Sequence, residues 1–301
     1  MTTRFQQRHV RPLLAAIVLV TTIVVFVVYF KNHPETLTSL RNVPVGTLAL
    51  LLVLYGVFIA TLVWIQRATL DLCNIRLPRT ESALLVMYSS IINFFGPLQS
   101  GPGFRAAYLK KKHNVSLKKY SLATLVYYGL YAVFSGLLLA SFVFGLWVGA
   151  LCLLTFAGAP IVLRLRRFSG LPLRPVLSLA MATLAQVMTM VAIYFVALQS
   201  ILPQVSLLQS LAYTGAANFA LFVSITPGAI GFRESFLLFS QKLHGIGSDT
   251  IAVASVIDRS VYIALLVGMA IGIFGLHANK YFKNVSPLKT DKKTAVKAAK
   301  P

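Results

Sequence analysis

Residues 45–65 read VGTLALLLVLYGVFIATLVWI, a run of 21 residues without one charged side chain. A helix of about 20 apolar residues spans the hydrocarbon core of a bilayer. On either side of this run, similar apolar stretches occupy residues 13–30, 120–141, 143–163, 175–198 and 251–276. This pattern predicts an all-α polytopic membrane protein with about six full transmembrane helices.

The composition supports the same class. Hydrophobic residues make up 57% of the 301 and charged residues 12%, whereas a soluble domain needs far more polar surface. The net charge of +21 would indicate a nucleic-acid partner in a soluble protein. Here the basic residues lie at the ends of apolar runs, so the expected partner is an anionic membrane surface and not nucleic acid.

The distribution of Lys and Arg predicts the orientation, because basic residues concentrate in cytoplasmic loops. With both termini in the cytoplasm, 22 basic residues lie inside and only Lys31, Arg41 and Lys242 lie outside. The basic residues 277–301 then form a cytoplasmic tail, expected to be disordered on anionic headgroups.

Two further apolar stretches, 83–109 and 207–243, are interrupted by glycine and proline. Because both flanks of 83–109 are cytoplasmic, this stretch is predicted to be a re-entrant helical hairpin from the inside. By the same count, 207–243 is a re-entrant hairpin from the outside. Irregular backbone survives at membrane depth only where protein or a water-filled cavity surrounds it, so these hairpins are expected to line a site.

The hairpins also resemble each other. Each carries Asn-Phe, then Pro-Gly followed by Phe-Arg, and Tyr131 after the first matches Tyr262 after the second. Since one is predicted to enter from each side, we expect an inverted repeat with cores at about 83–141 and 207–276, within a single transmembrane domain of residues 1–276. Such repeats build the central sites of secondary transporters. The alternative is a duplication relic with no transport role.

Arg105 and Arg233 follow these glycine-proline loops at predicted helix starts. Free backbone N–H groups, the helix dipole and a guanidinium together suit phosphate oxygens. The alternative is that each arginine pairs with a buried carboxylate. The candidate phosphate or anion site comprises Arg105, Arg233, Gly101, Gly103, Gly228, Gly231, Asn93 and Asn218.

Three more charged residues lie near the second hairpin: Glu234, Asp258 and Arg259. Adjacent helical residues do not face each other, so Asp258 and Arg259 need different partners. Arg259 with Glu234, and Asp258 with Arg105 or Arg233, are the possible ion pairs; a proton relay through Asp258 is the other reading. Asp71 and Glu81, in the cytoplasmic linker, are expected to be ordinary solvated charges.

Catalytic motifs are not apparent in the sequence. The five histidines are dispersed without metal-ligand spacing, and there is no Walker motif or G-x-S-x-G context. We therefore expect no enzyme activity, no metal and no cofactor.

Residues 93–109, NFFGPLQSGPGFRAAYL, resemble the N-x-x-x-P-x-x-x-G-E-x-x-R-x-x-x-L signature of one membrane family. Residues 224–234, SITPGAIGFRE, are similar to its second signature, S-x-x-P-G-G-x-G-x-x-E, and Asp258-Arg259 stands where the family has a charged pair. This family is the transmembrane region of the bacterial lysyl-phosphatidylglycerol synthases, also found as stand-alone flippase-like proteins. The resemblance covers about residues 10–276.

The resemblance implies a bacterial inner-membrane protein that translocates an anionic phospholipid or polyprenyl-phosphate type of lipid between leaflets. The alternative is a non-catalytic membrane subunit that supports a glycosyltransferase or another cell-envelope enzyme. No lysyl transfer is expected. Two positions depart from the family pattern: Pro102 replaces the acidic residue of the first signature, and Tyr127-Tyr128 replaces a charged pair.

Overall fold

The computed structural model describes residues 28, 31, 34, 38, 41–95, 100–144, 173–223, 229 and 232–284. Within these residues the chain forms nine helices and no strand. The helices are α1 (Val45–Leu72), α2 (Arg79–Phe95), α3 (Ser100–His113), α4 (Leu117–Phe144), α5 (Leu173–Gln199), α6 (Leu207–Val223), α7 (Phe232–Phe239), α8 (Gln241–His244) and α9 (Ser248–Asn284). Four of them, α1, α4, α5 and α9, are long and apolar enough to cross a membrane.

The long helices coincide with four of the six predicted spans. The predicted spans 13–30 and 143–163, and residues 285–301 of the predicted tail, lie outside the described residues. Helix α9 continues to Asn284, so the boundary predicted at residue 276 is too early. The reason is that hydropathy marks where apolar side chains end, whereas the backbone hydrogen bonds of a helix continue into its polar flank.

Both predicted hairpins are pairs of helices. Helices α2 and α3 pack against each other, as do α6 and α7. The turn of the first, residues 96–99, and most of the turn of the second, residues 224–231, lie outside the described residues. Whether either hairpin re-enters a membrane stays a prediction.

Left-handed residues end three of the helices. Asn74 and Asn114 have φ of 60° and 54°, and Gly245 has φ of 66°. Asparagine and glycine tolerate this conformation better than other residues do. After α1, the Ile75 amide donates to the Leu70 carbonyl at 2.9 Å, which satisfies an acceptor at the helix end.

The long helices keep large apolar side chains on their outer faces. Leu122 and Leu125 of α4 are each 64% exposed and Val53 of α1 is 63% exposed. Such surfaces are unfavourable in water, whereas lipid chains are as apolar as the side chains themselves. The chain is therefore an integral, multi-pass membrane protein.

The packing partners of the helices fall into two matching groups. Helix α1 packs along α5, and α4 packs on α6 while α9 packs on α2. Likewise α4 contacts α5 and α9 contacts α1. We match α1, α2, α3 and α4 with α5, α6, α7 and α9, in that order. When matched helices are exchanged, the contact of α4 with α6 becomes that of α9 with α2, and the contact of α4 with α5 becomes that of α9 with α1. We call residues 45–144 the first half and 173–284 the second half.

Glu81 connects the start of α2 to the end of α3. Its Oε1 accepts hydrogen bonds from the hydroxyl of Tyr108 at 2.6 Å and from Lys112 Nζ at 2.8 Å, and His113 Nε2 lies 2.8 Å away. These hydrogen bonds, chiefly those from Lys112 and Tyr108, lower the pKa of Glu81 to about 2. For Glu81 the expectation of an ordinary solvated charge is therefore wrong, because antiparallel packing places the start of α2 beside the end of α3.

Candidate functional site

A cavity of about 220 Å³ lies where the two halves meet. Helices α1, α2, α3, α4, α5 and α9 all contribute to its wall, together with the start of α7. Its polar lining consists of Tyr55, Ser89, Ser90, Asn93, Arg105, Tyr127, Tyr128, Tyr131, Gln186, Tyr194, Arg233, Asp258, Arg259 and Tyr262. Arg105 and Arg233, which the sequence placed at the two hairpins, thus line a single cavity.

Arg233 and Asp258 form a buried ion pair in this cavity. Arg233 Nη1 lies 2.7 Å from Asp258 Oδ2, and the two residues are 7% and 2% exposed. Arg233 Nη1 also donates to the hydroxyl of Tyr194 at 3.1 Å, and the hydroxyl of Tyr55 donates to Asp258 Oδ1. The pair therefore links α7 and α9 to α1 and α5.

Arg259 turns away from Asp258 and pairs with Glu234. Arg259 Nη2 donates to Glu234 Oε1 at 2.6 Å and to the carbonyl oxygen of Ala229 at 3.2 Å. Ala229, at φ 57°, lies in the turn of the second hairpin. Neighbouring residues of α9 thus point to different partners, as helical geometry requires, and of the two partners open to Asp258 the structure selects Arg233.

Arg105, on α3, differs from the other two cavity arginines. Its Nε is buried without a hydrogen-bond partner among the described residues, and no ion pair of the described residues includes it. Arg105 lines the cavity together with Tyr127 and Tyr128 of α4 and interacts electrostatically with both. Its positive charge is therefore not matched by a carboxylate within the part of the chain that the structure describes.

Six tyrosines surround these charges: Tyr55, Tyr127, Tyr128, Tyr131, Tyr194 and Tyr262. The rings of Tyr55 and Tyr262 lie 4.9 Å apart, and the hydroxyl of Tyr127 donates to Gln186 Oε1 at 3.0 Å. Sequence reasoning singled out Tyr131 and Tyr262 through the repeat and missed this collective role. The tyrosines come from four helices, and only the spacing of Tyr127, Tyr128 and Tyr131 along α4 hinted at a shared face.

The asparagines and glycines of the predicted anion site do not all line the cavity. Asn93 and Gly101 line the cavity, but the Gly101 amide donates to Asn93 Oδ1 at 3.2 Å and is not free for a ligand. Gly103 is exposed and does not line the cavity. Asn218 is buried away from it and donates to Ser135 Oγ at 3.2 Å. Gly228 and Gly231 lie outside the described residues.

Gly101 has a packing role. A Cβ at this position would lie 2.6 Å from the carbonyl oxygen of Ser89, whereas a Cβ at Gly103 would meet nothing within 4 Å. We expect Gly101→Ala to lower the free energy of unfolding by about 1–3 kcal/mol, because α2 and α3 must separate. Gly103→Ala, the matched control, is expected to be neutral or slightly stabilising in a helix. Equal melting temperatures for the two variants would contradict this account.

Among the described residues, no group of three or more His, Cys, Asp or Glu side chains is arranged to hold a metal ion. The cavity offers guanidinium donors, two carboxylates that are already paired, and phenol hydroxyls. Guanidinium groups form strong, charge-assisted hydrogen bonds with carboxylate and phosphate oxygens.

The fold and the cavity define a multi-pass α-helical membrane protein with a charged, tyrosine-lined cavity between its helices. The model of the lysylphosphatidylglycerol synthase TM region matches residues 13–165, and the chain belongs to this family. The match includes the first signature, and the second signature, residues 224–234, lies beyond it. No curated protein matches the chain.

Proposed function

We propose that this protein translocates a phospholipid or a lipid-linked phosphate between the two leaflets of the membrane. The observation that carries this proposal is the single cavity that contains Arg105 and Arg233. A phosphate crossing hydrocarbon without compensation is very costly. A polar cavity between apolar helices lowers that cost, while the acyl chains stay in the surrounding lipid.

The packing of the two halves supports this function. Arg105 and Arg233, and likewise Tyr131 and Tyr262, occupy matching positions of the two halves and line the same cavity. This arrangement is what an inverted repeat of hairpin and span produces, with the site between the repeats. Movement of one half against the other would then expose the cavity to each leaflet in turn.

The transport test uses purified protein in liposomes that contain a fluorescent phosphatidylglycerol analogue, with dithionite quenching of the outer leaflet. Wild-type protein is expected to make the inner-leaflet probe accessible, and Arg105→Gln to slow this exchange by about tenfold or more, the loss expected for one charged hydrogen-bonding partner. Arg67→Gln, at an exposed arginine of α1, is the matched control and should exchange at the wild-type rate. Equal rates for Arg105→Gln and Arg67→Gln would refute a role for the cavity.

The second candidate is a non-catalytic subunit that supports a cell-envelope enzyme. The two arginines that the second half contributes to the cavity favour it, since both Arg233 and Arg259 are held in ion pairs, as a rigid scaffold requires. The same liposome experiment separates the candidates. A scaffold gives no exchange above that of empty liposomes, with any variant.

The membrane orientation is part of the proposal: both termini face the cytoplasm of a bacterial inner membrane. In a background without native cysteines, Gln204→Cys is expected to react with an impermeant maleimide added to whole cells. Lys110→Cys should react only after permeabilisation. Both side chains are exposed, so access depends on the membrane alone. Labelling of Lys110→Cys in intact cells would overturn this orientation and, with it, the inverted repeat.

A further inference from the structure

We infer that the cavity is selective for a phosphodiester, which carries one negative charge, and that Arg105 supplies the charge that selects it. This inference rests on the proposed function and deepens it by naming the class of headgroup. It follows from a difference between the two halves, each of which contributes an arginine to the same cavity.

At the cavity, the second half balances its charges. Arg233 pairs with Asp258, and Arg259 pairs with Glu234, so the two arginines that this half contributes to the cavity meet two carboxylates. In the first half, Tyr127 and Tyr128 stand where the second half has Asp258 and Arg259, and Ala106 follows Arg105 where Glu234 follows Arg233. At these matching positions the first half therefore has the arginine but neither carboxylate.

The charge at the site can therefore be counted. Three guanidinium groups line the cavity, and the described carboxylates that pair with them are Asp258 and Glu234. The excess is one positive charge, and it belongs to Arg105. Arg105 is partly buried, its Nε has no described hydrogen-bond partner, and no described carboxylate neutralises its charge. A ligand with one negative charge is therefore the complement that the cavity lacks.

The hydrogen-bond donors indicate where the ligand binds. Arg105 Nε and Arg233 Nη2 are buried without hydrogen-bond partners among the described residues. Arg233 Nε makes no described hydrogen bond either, but it lies 3.8 Å from Glu234 Oε1. The charge of Arg233 is matched by Asp258, whereas its Nη2 remains an unused donor. A phosphate group between the two arginines would accept hydrogen bonds from both halves. Its negative charge would be neutralised by Arg105 alone, because Asp258 already neutralises Arg233.

The single excess positive charge at the cavity favours a phosphodiester over a phosphomonoester. A phosphodiester carries a single negative charge at neutral and alkaline pH. A phosphomonoester approaches two negative charges above its second pKa of about 6. The second charge of a monoester would have no partner in the cavity, and desolvating it would oppose binding.

Binding is measured by isothermal titration calorimetry on detergent-purified protein at pH 8. We expect dihexanoyl phosphatidylglycerol, a phosphodiester, to bind about tenfold more tightly than dihexanoyl phosphatidate, a monoester, because the second charge is unpaired. Tighter binding of phosphatidate, or equal binding, would overturn the inference. Inorganic phosphate and glycerophosphoglycerol identify the source of the ligand. If either binds as tightly as phosphatidylglycerol, the site belongs to a free phosphate compound and the assignment to a lipid is overturned.

A matched pair of variants tests the role of charge. Tyr127→Asp gives the first half the carboxylate that the second half has, and this carboxylate should neutralise Arg105 and weaken phosphatidylglycerol binding by about tenfold. Tyr127→Asn has the same size without the charge and is expected to bind close to the wild-type level. Equal losses in both would show that the phenol is required instead, and would overturn the inference. Arg105→Gln, measured in parallel with melting temperatures, keeps the test valid if Tyr127→Asp fails to fold.

The failure of this inference and the failure of the proposed function give different results. If the protein exchanges lipid in liposomes but does not bind the diester more tightly, the selectivity is contradicted and the transport function is supported. If it binds the diester selectively through Arg105 but exchanges no lipid, the site is supported and the transport function is contradicted.

Discussion

Arg233→Ala is expected to lower the free energy of unfolding by about 3–5 kcal/mol, the range for removing one partner of a buried ion pair. The substitution leaves Asp258, which is 2% exposed, with the hydroxyl of Tyr55 as its remaining described partner. It also removes the hydrogen bond to Tyr194, which joins α7 to α5. The loss should exceed that of any other single charge removal in the cavity.

The matched control is Arg105→Ala. Because the structure describes no ion pair for Arg105, its removal strands no described carboxylate and is expected to change the free energy of unfolding by less than about 1 kcal/mol. The measurement is SDS-induced unfolding of the purified protein, supported by melting temperatures. A similar loss for both variants would contradict the division between a structural Arg233 and an unpaired Arg105.

A double-mutant cycle isolates the pair. Once Arg233 is gone, Asp258→Asn should recover part of the stability, because the amide is cheaper to bury than an unpaired carboxylate. Asp258→Asn alone should be destabilising, since it leaves Arg233 buried without its counter-ion. Additive losses would show that the two residues do not interact energetically.

Gly215→Ala is the second substitution with a large expected effect, about 1–3 kcal/mol of unfolding free energy. A Cβ at Gly215 would lie 2.8 Å from both Leu139 N and Ser135 O, so it would meet the backbone of α4 directly. A backbone cannot rotate away as a side chain can. Helices α4 and α6, which join the two halves, would have to separate, and the contact between Asn218 and Ser135 would be stretched.

Gly136→Ala is its control on the facing helix. A Cβ there would lie 3.6 Å from Phe219 Cζ, an ordinary van der Waals contact with a side chain. We expect Gly136→Ala to be close to neutral in the same unfolding assay. Equal destabilisation by the two substitutions would show that glycine content, and not the closeness of the backbones, governs this interface.

Hydropathy alone predicted the elements well. The predicted spans 45–65, 120–141 and 175–198 correspond to α1, α4 and α5, each of which extends a few residues further. The glycine-proline interruptions of 83–109 and 207–243 fall between α2 and α3 and between α6 and α7. These features are local: the length of an apolar run and the position of a helix breaker do not depend on the rest of the chain.

The candidate site was predictable in part. Because charges are rare in membrane helices, the arginines at 105, 233 and 259 and the carboxylates at 234 and 258 were an obvious set. The sequence did not show which residue pairs with Asp258, because both Arg105 and Arg233 were possible partners. Gly101 has a role that the sequence did not predict: its amide donates to Asn93 Oδ1, and the missing Cβ lets α2 and α3 approach closely.

The sequence by itself determined that this chain is a helical membrane protein, because long apolar runs can bury their backbone polar groups in hydrocarbon only as helices. It also predicted that the few charges within the apolar stretches matter for function, since such charges are costly. Tertiary structure decided how those charges are shared. Helix rotation and packing direct Arg233 to Asp258 and Arg259 to Glu234, bring six tyrosines together from four helices, and place Arg105 in the same cavity as Tyr127 and Tyr128. The unmatched charge of Arg105 depends on which side chains meet across helices, and such distances in space are not encoded by spacing along the chain.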